Sequence, residues 1–147
     1  MSDREYPKAP ILGVGAVIWK EDHFLLIKRS KAPMKGGWSL PGGKLELGET
    51  IVGGLKREIM EETNLTVRIG PLIDVVDFIE KDQDDKVRTH YCLVDYLAFW
   101  QNGEATAGSD AAAVKWAKLE EIGDYGLWNE TQRLIEASRD MIIKRAR

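Results

Sequence analysis

The stretch GGKLELGETIVGGLKREIMEETNL, residues 42–65, constrains this chain more than any other. Thr50 can cap a helix that runs to about Thr63, and Asn64 tolerates the left-handed backbone that ends one. Ile51, Val52, Leu55 and Ile59 line one side of that helix and demand burial. Glu58, Glu61 and Glu62 stand three and four residues apart on a neighbouring face, about a quarter turn from the apolar stripe. Like charges at those spacings destabilise an isolated helix by about 0.2–0.5 kcal/mol per pair. A divalent cation is the natural counterweight, and the trio is expected to edge the core rather than face bulk water. Gly53 and Gly54 each cost about 1 kcal/mol against Ala inside a helix. They predict a close packing contact on their side.

Strand signals surround this helix. ILGVGAVIWK (11–20) and HFLLIKRS (23–30) are rich in β-branched and apolar residues, with a tight turn at Glu21-Asp22 between them. KAPMKGGWSLPGG (31–43) is broken by Pro and Gly and predicts a loop with a short extended piece around Trp38-Leu40. Two long strands follow, 65–80 and 86–100, joined by the polar turn KDQDD, and a further strand covers 113–119. Residues 128–147 form an amphipathic helix whose basic end, Lys144, Arg145 and Arg147, suits a helix C-terminus. Residues 1–9 are expected to be a flexible arm and 10–147 a single domain, a size that 147 residues allow. Strands, helix, strands, helix in that order predict an α/β (α+β) fold, a mixed central sheet with helices on both faces.

Several functions are disfavoured. A net charge of −3 argues against binding a nucleic-acid polymer or an anionic membrane. No apolar run approaches the ~20 residues that span a bilayer, and MSDREYPKAP has no apolar core, so the expected compartment is the cytoplasm. Cys92 is the single cysteine, which leaves no internal disulfide. GVGAVI starts like a dinucleotide fingerprint, but Ile18 occupies the third glycine and the stretch lies inside a strand. GWSLPGGKL has one residue too many for a P-loop, and Leu45 replaces its Ser or Thr. His23 and His90 lack metal-ligand spacing.

From Gly43 the residues read G-x5-E-x7-R-E-U-x-E-E-x-N-U, with U aliphatic: Gly43, Glu49, Arg57, Glu58, Ile59, Glu61, Glu62, Asn64 and Leu65. This resembles the Nudix box, with Asn64 where that family usually has Gly. KGGWSLPGGKLELGET, HYCLVDYLAFW and VKWAKLEEI are similar to the corresponding segments of bacterial ADP-ribose-pyrophosphatase-like members. The resemblance implies the Nudix α/β/α sandwich and Mg2+-dependent hydrolysis, with Mn2+ able to substitute. The substrate implied is a small-molecule nucleotide, a nucleoside diphosphate linked to X such as ADP-ribose. A pyrophosphohydrolase for (deoxy)nucleoside triphosphates is the near alternative, and a non-catalytic nucleotide-binding module the distant one. A homodimer is compatible with either.

Roles follow from the same resemblance. Glu61 and Glu62 are expected metal ligands, with Glu58 a ligand or near the base, and a backbone carbonyl at Gly42 or Gly43 contributing. Arg57 and Glu49 are expected to pair and orient the glutamates. Asp110, six residues before Trp116, is a further candidate carboxylate. The general base stays open between Glu58, Asp110 and an acid of the 80–85 turn. Trp38, Phe78, Tyr91 and Tyr125 are candidates to stack on a base, and Arg29 and Lys31 to meet phosphate. Carboxylates suit this chemistry because Mg2+ and Mn2+ prefer hard oxygen donors.

Overall fold

Ile11–Lys20 is apolar at nearly every position because both of its faces end up covered. In the computed structural model, which describes residues 4–30, 36–108 and 111–145, this segment is β1, the middle of the sheet. The chain continues through β2 (His23–Arg29), β3 (Trp38–Ser39), β4 (Gly42–Lys44), α1 (Ile51–Thr63), β5 (Thr66–Lys81), β6 (Val87–Asn102) and β7 (Ala111–Lys118). A 3-10 helix, Leu119–Asp124, then leads to α2 (Asn129–Arg145).

The seven strands among the described residues make one mixed sheet. β1 runs parallel to β6, from Ile11 opposite Tyr91 to Trp19 opposite Phe99. Its other edge is shared. β2 pairs antiparallel at Trp19 and Lys20, and β4 pairs antiparallel from Gly13 to Gly15. β2 also pairs with β3 and β7, and β5 closes the far side on β6. Alternation in β1 then splits the core in two. Val14, Ala16 and Ile18 pack with Leu55 and Ile59 of α1, whereas Val17 and Trp19 pack with Leu134 and Ile135 of α2. Trp19 Nε1 donates to Ser138 Oγ at 2.8 Å, which satisfies both polar groups under α2. The result is the expected α/β/α sandwich.

Local signals explain the ends of α1. Thr50 Oγ1 accepts from the Gly53 N–H at 3.0 Å, and Asn64 takes φ 64° with its N–H on the Met60 carbonyl. A Cβ on Gly54 would lie 2.5 Å from Leu45 Cδ1, so the expected close contact is there, against the loop that precedes the helix. Gly53 has only its own cap nearby. Val52 departs from expectation. It is 39% exposed, and the buried face instead passes through Leu55, Glu58, Ile59 and Glu62. Glu58 and Glu62 therefore sit deeper than the edge of the core, and Glu61 stays exposed. β4 also lies in a stretch with no strand pattern of its own. Residues 4–9 are tied to the sheet by Tyr6, whose N–H reaches the Arg88 carbonyl and whose hydroxyl donates to Asp82 Oδ2 at 2.8 Å. No helix among the described residues is long and apolar enough to cross a membrane.

Candidate active site

Arg57 organises the acidic face of α1. Its Nε and Nη2 donate to the two carboxylate oxygens of Glu49 at 2.6 and 2.7 Å, a bidentate clamp across the turn before the helix. Nη1 donates to Glu58 Oε1 at 2.8 Å and Glu61 Oε2 at 3.2 Å, and Nη2 also reaches the Lys44 carbonyl. One guanidinium thus joins the pre-helix loop, β4 and two of the three acids. The Arg57 hydrogen bond pulls the Glu49 carboxyl down to about 2, with a backbone donor at Glu46 helping. Arg57 is raised well above its ordinary range, chiefly by Glu49.

The three glutamates differ. Glu58 is 8% exposed, and burial pushes its carboxyl up against the opposing pull of Arg57. Glu62 is 4% exposed and accepts the Gly42 N–H at 2.7 Å. The Glu61 side chain is half-exposed. β4 fits against them because it has no side chains in the way. A Cβ on Gly43 would overlap the Glu58 carboxylate, and one on Gly42 would overlap the Val14 carbonyl of β1.

The donor chemistry suits a hard divalent cation. All the groups offered are oxygens on one helical face, with the Gly42–Gly43 backbone alongside. The Arg57 Nη1 contacts mark one position where a positive charge already meets both Glu58 and Glu61. As they stand, no three acid, His or Cys side chains among the described residues converge on a single ion, since Glu62 turns to Gly42 and the other two to Arg57.

A cavity of about 140 Å3 opens beside β4. Gly43 belongs to both places: it lines this cavity and abuts Glu58. Arg29, Phe78 and Tyr91 all line it, and Phe78 meets Trp128 edge to face with centroids 5.3 Å apart. Trp38 is elsewhere, packed edge to face on Tyr125 at 5.6 Å. Asp82 of the 80–85 turn accepts the backbone N–H groups of Asp84 and Lys86, which closes that turn. Lys31 and Asp110 lie outside the described residues. Sequence reasoning missed Arg4, Trp128 and Asp95, which also line the cavity. Asp95 had a signal: it is an acid in the middle of the apolar run CLVDYLAFW.

Asp95 is 5% exposed, and burial raises its carboxyl to about 7, with Asp74 adding to the shift and Arg133 opposing it. The folded state therefore holds a proton that the unfolded chain releases near pH 4. Stability from this group falls as pH rises from about 4 through about 7. Asp95→Asn is expected to flatten that slope and to stabilise the protein at pH 8 by about 2–4 kcal/mol. Urea unfolding at pH 5 and pH 8 measures it, and an unchanged slope in the variant counts against the assignment.

Comparison with known proteins bears on this site. The NUDIX domain family model matches residues 9–138. An ADP-ribose pyrophosphatase of Methanocaldococcus jannaschii is 34% identical over 113 residues, 77% of this chain and 64% of that protein, so the chain spans less than two thirds of this relative. A MutT-like protein of Streptomyces ambofaciens is 31% identical over 84% of this chain and 73% of its own length. Among solved structures, a MutT NUDIX hydrolase from Burkholderia pseudomallei superposes with a TM-score of 0.74 at 32% identity, covering 88% of this chain and 98% of that one.

Proposed function

Because the chain belongs to the Nudix family, we propose that it is a pyrophosphohydrolase dependent on a divalent metal. It splits a nucleoside diphosphate linked to X, with ADP-ribose or a similar nucleotide sugar as substrate, into a nucleoside monophosphate and phospho-X. The observation that carries this reading is Gly43, where a carboxylate face able to hold Mg2+ and an apolar cavity able to hold a nucleoside meet at one strand. The 34% identical ADP-ribose pyrophosphatase supports the choice of substrate.

Glu58, Glu61 and Glu62 are the side chains that would hold Mg2+ or Mn2+, with the Gly42–Gly43 backbone beside them. Such an ion, when bound, neutralises diphosphate oxygens and makes a water more acidic. The chain supplies the rest. The Glu49–Arg57 clamp fixes the guanidinium, and the guanidinium holds Glu58 and Glu61 through one donor nitrogen. The Gly42 N–H holds Glu62 in the same way. Arg4, Arg29 and Lys44 bring positive charge to the lining of the cavity.

A panel of ADP-ribose, other nucleoside diphosphate sugars, dinucleoside polyphosphates and (deoxy)nucleoside triphosphates, assayed with Mg2+ for released products, tests the reading. The expected result is kcat/KM for ADP-ribose at least about tenfold above any triphosphate, a preference worth ~1.4 kcal/mol. Faster release of pyrophosphate from triphosphates would replace it with the nucleotide-pool alternative.

A further inference from the structure

Residues 4–9 contribute nothing to the core, yet one of them is held hard. Tyr6 is 42% exposed and takes φ 50°, a left-handed backbone that a bulky side chain rarely adopts. Pro7 directly after it disfavours the right-handed helical alternative. Two bonds to the β5–β6 hairpin keep Tyr6 there: its N–H donates to the Arg88 carbonyl at 2.7 Å, and its hydroxyl to Asp82 Oδ2 at 2.8 Å. Asp82 is prepared for this. Its Oδ1 accepts the backbone N–H groups of Asp84 at 2.9 Å and Lys86 at 3.0 Å, so the hairpin tip fixes the carboxylate and leaves Oδ2 to the tyrosine. The Lys86 donor, with Tyr6 second, holds the Asp82 carboxyl below its usual range. Exposed strain survives only where its surroundings impose it, and it gathers at functional sites.

The latch has something to hold. Arg4, two residues earlier, lines the cavity beside β4 together with Gly43 and Lys44. The Glu58 carboxyl is raised by burial, and Arg4 is among the charges that oppose the rise, so the guanidinium also lies within electrostatic reach of the acidic face. The hairpin that carries the latch supplies Phe78 and Tyr91 to the same cavity. A planar guanidinium presents paired donors that match phosphate oxygens. On a loose arm, ordering the chain would cancel much of that gain. A latched arm has lost the freedom beforehand.

We propose that Arg4 binds a phosphate oxygen of the substrate, and that Tyr6 and Asp82 are positioning residues that latch the arm so that Arg4 stands at the cavity. This rests on the reading of the chain as a nucleoside diphosphate hydrolase.

The test uses the full chain with Arg4→Ala, Arg4→Lys, Tyr6→Phe, Asp82→Ala and the double variant Arg4→Ala/Tyr6→Phe. KM and kcat for ADP-ribose are measured at saturating Mg2+. Trypsin cleavage after Arg4 and Lys8, followed by mass spectrometry, reports how tightly the arm is held. Arg4→Ala is expected to raise KM about tenfold, leave kcat within about threefold, and flatten the rise of KM with NaCl. Arg4→Lys stays within about threefold of wild-type KM, since a cation remains. Tyr6→Phe and Asp82→Ala each raise KM about threefold and speed cleavage at least about fivefold. In the Arg4→Ala background, Tyr6→Phe adds less than about 1.5-fold to KM, because the latch acts through Arg4. All three side chains lie outside the core, so every variant should fold. Wild-type KM in Arg4→Ala overturns the proposal. Wild-type cleavage in both Tyr6→Phe and Asp82→Ala, or an equal rise in KM from Tyr6→Phe with and without Arg4, overturns the latch. Each of these results leaves the hydrolase reading intact. A wild-type protein that hydrolyses no nucleoside diphosphate overturns both.

Discussion

Replacing Glu62 with Gln leaves the protein folded and lowers kcat for ADP-ribose by about a hundredfold or more. The fold survives because the Gln amide oxygen can still accept the Gly42 N–H that Glu62 Oε1 accepts at 2.7 Å. Shape and burial are nearly unchanged, so Tm should stay within a few degrees. What disappears is the negative charge, and with it the capacity to hold a hard cation. A hundredfold loss corresponds to ~2.7 kcal/mol of transition-state stabilisation. Steady-state kinetics at saturating Mg2+, alongside a thermal melt, separates the two effects. Turnover within about twofold of wild type in a folded variant would remove Glu62 from the machinery.

Chelation should have the largest effect of all. EDTA in excess is expected to abolish hydrolysis, Mg2+ to restore it, and Mn2+ to substitute. The carboxylate face explains why the loss should be complete. The described cationic groups there are committed: Arg57 already spends its donors on Glu49, Glu58, Glu61 and the Lys44 carbonyl. Without a metal, a diphosphate near α1 would meet three carboxylates and be repelled. Removing the ion should leave folding unimpaired, because Arg57 and Gly42 hold the glutamates without it. Hydrolysis that persists in chelator at the untreated rate would take metal-assisted catalysis out of the account.

The sequence carried the bounds of α1 well, and for local reasons. A threonine cap and an asparagine stop are encoded within the segment they shape, and Thr50 and Asn64 behave as those signals say. The core strands were legible for the same reason. What escaped was whatever depends on a distant partner. β4 is three residues long and exists only because β1 offers an open edge from Gly13 to Gly15. Val52 fits an apolar stripe by spacing, yet the helix is rotated so that Glu58 and Glu62 are covered in its place, where β4 and the Arg57 clamp meet them. Trp38 and Tyr125 looked equally able to hold a base, but they meet one another, 87 residues apart in sequence, which no local pattern announces. Asp95 lies between Gly15 of β1 and Asp74 of β5, a placement that no local pattern announces.

The parallel pairing of β1 with β6 sets an order on folding. Ile11 finds its partner only when Tyr91 is available, and Trp19 only with Phe99. At synthesis rates of roughly 5–20 residues per second, β1 leaves the ribosome about 4–16 s before that partner does. The hairpin with β2 can form meanwhile, but the edge facing β6 stays open for that interval, and α2 has yet to be made. Truncated or stalled chains ending before β6 should therefore be prone to clump through this bare apolar ribbon. The acidic helix, though made early, takes up its working position late.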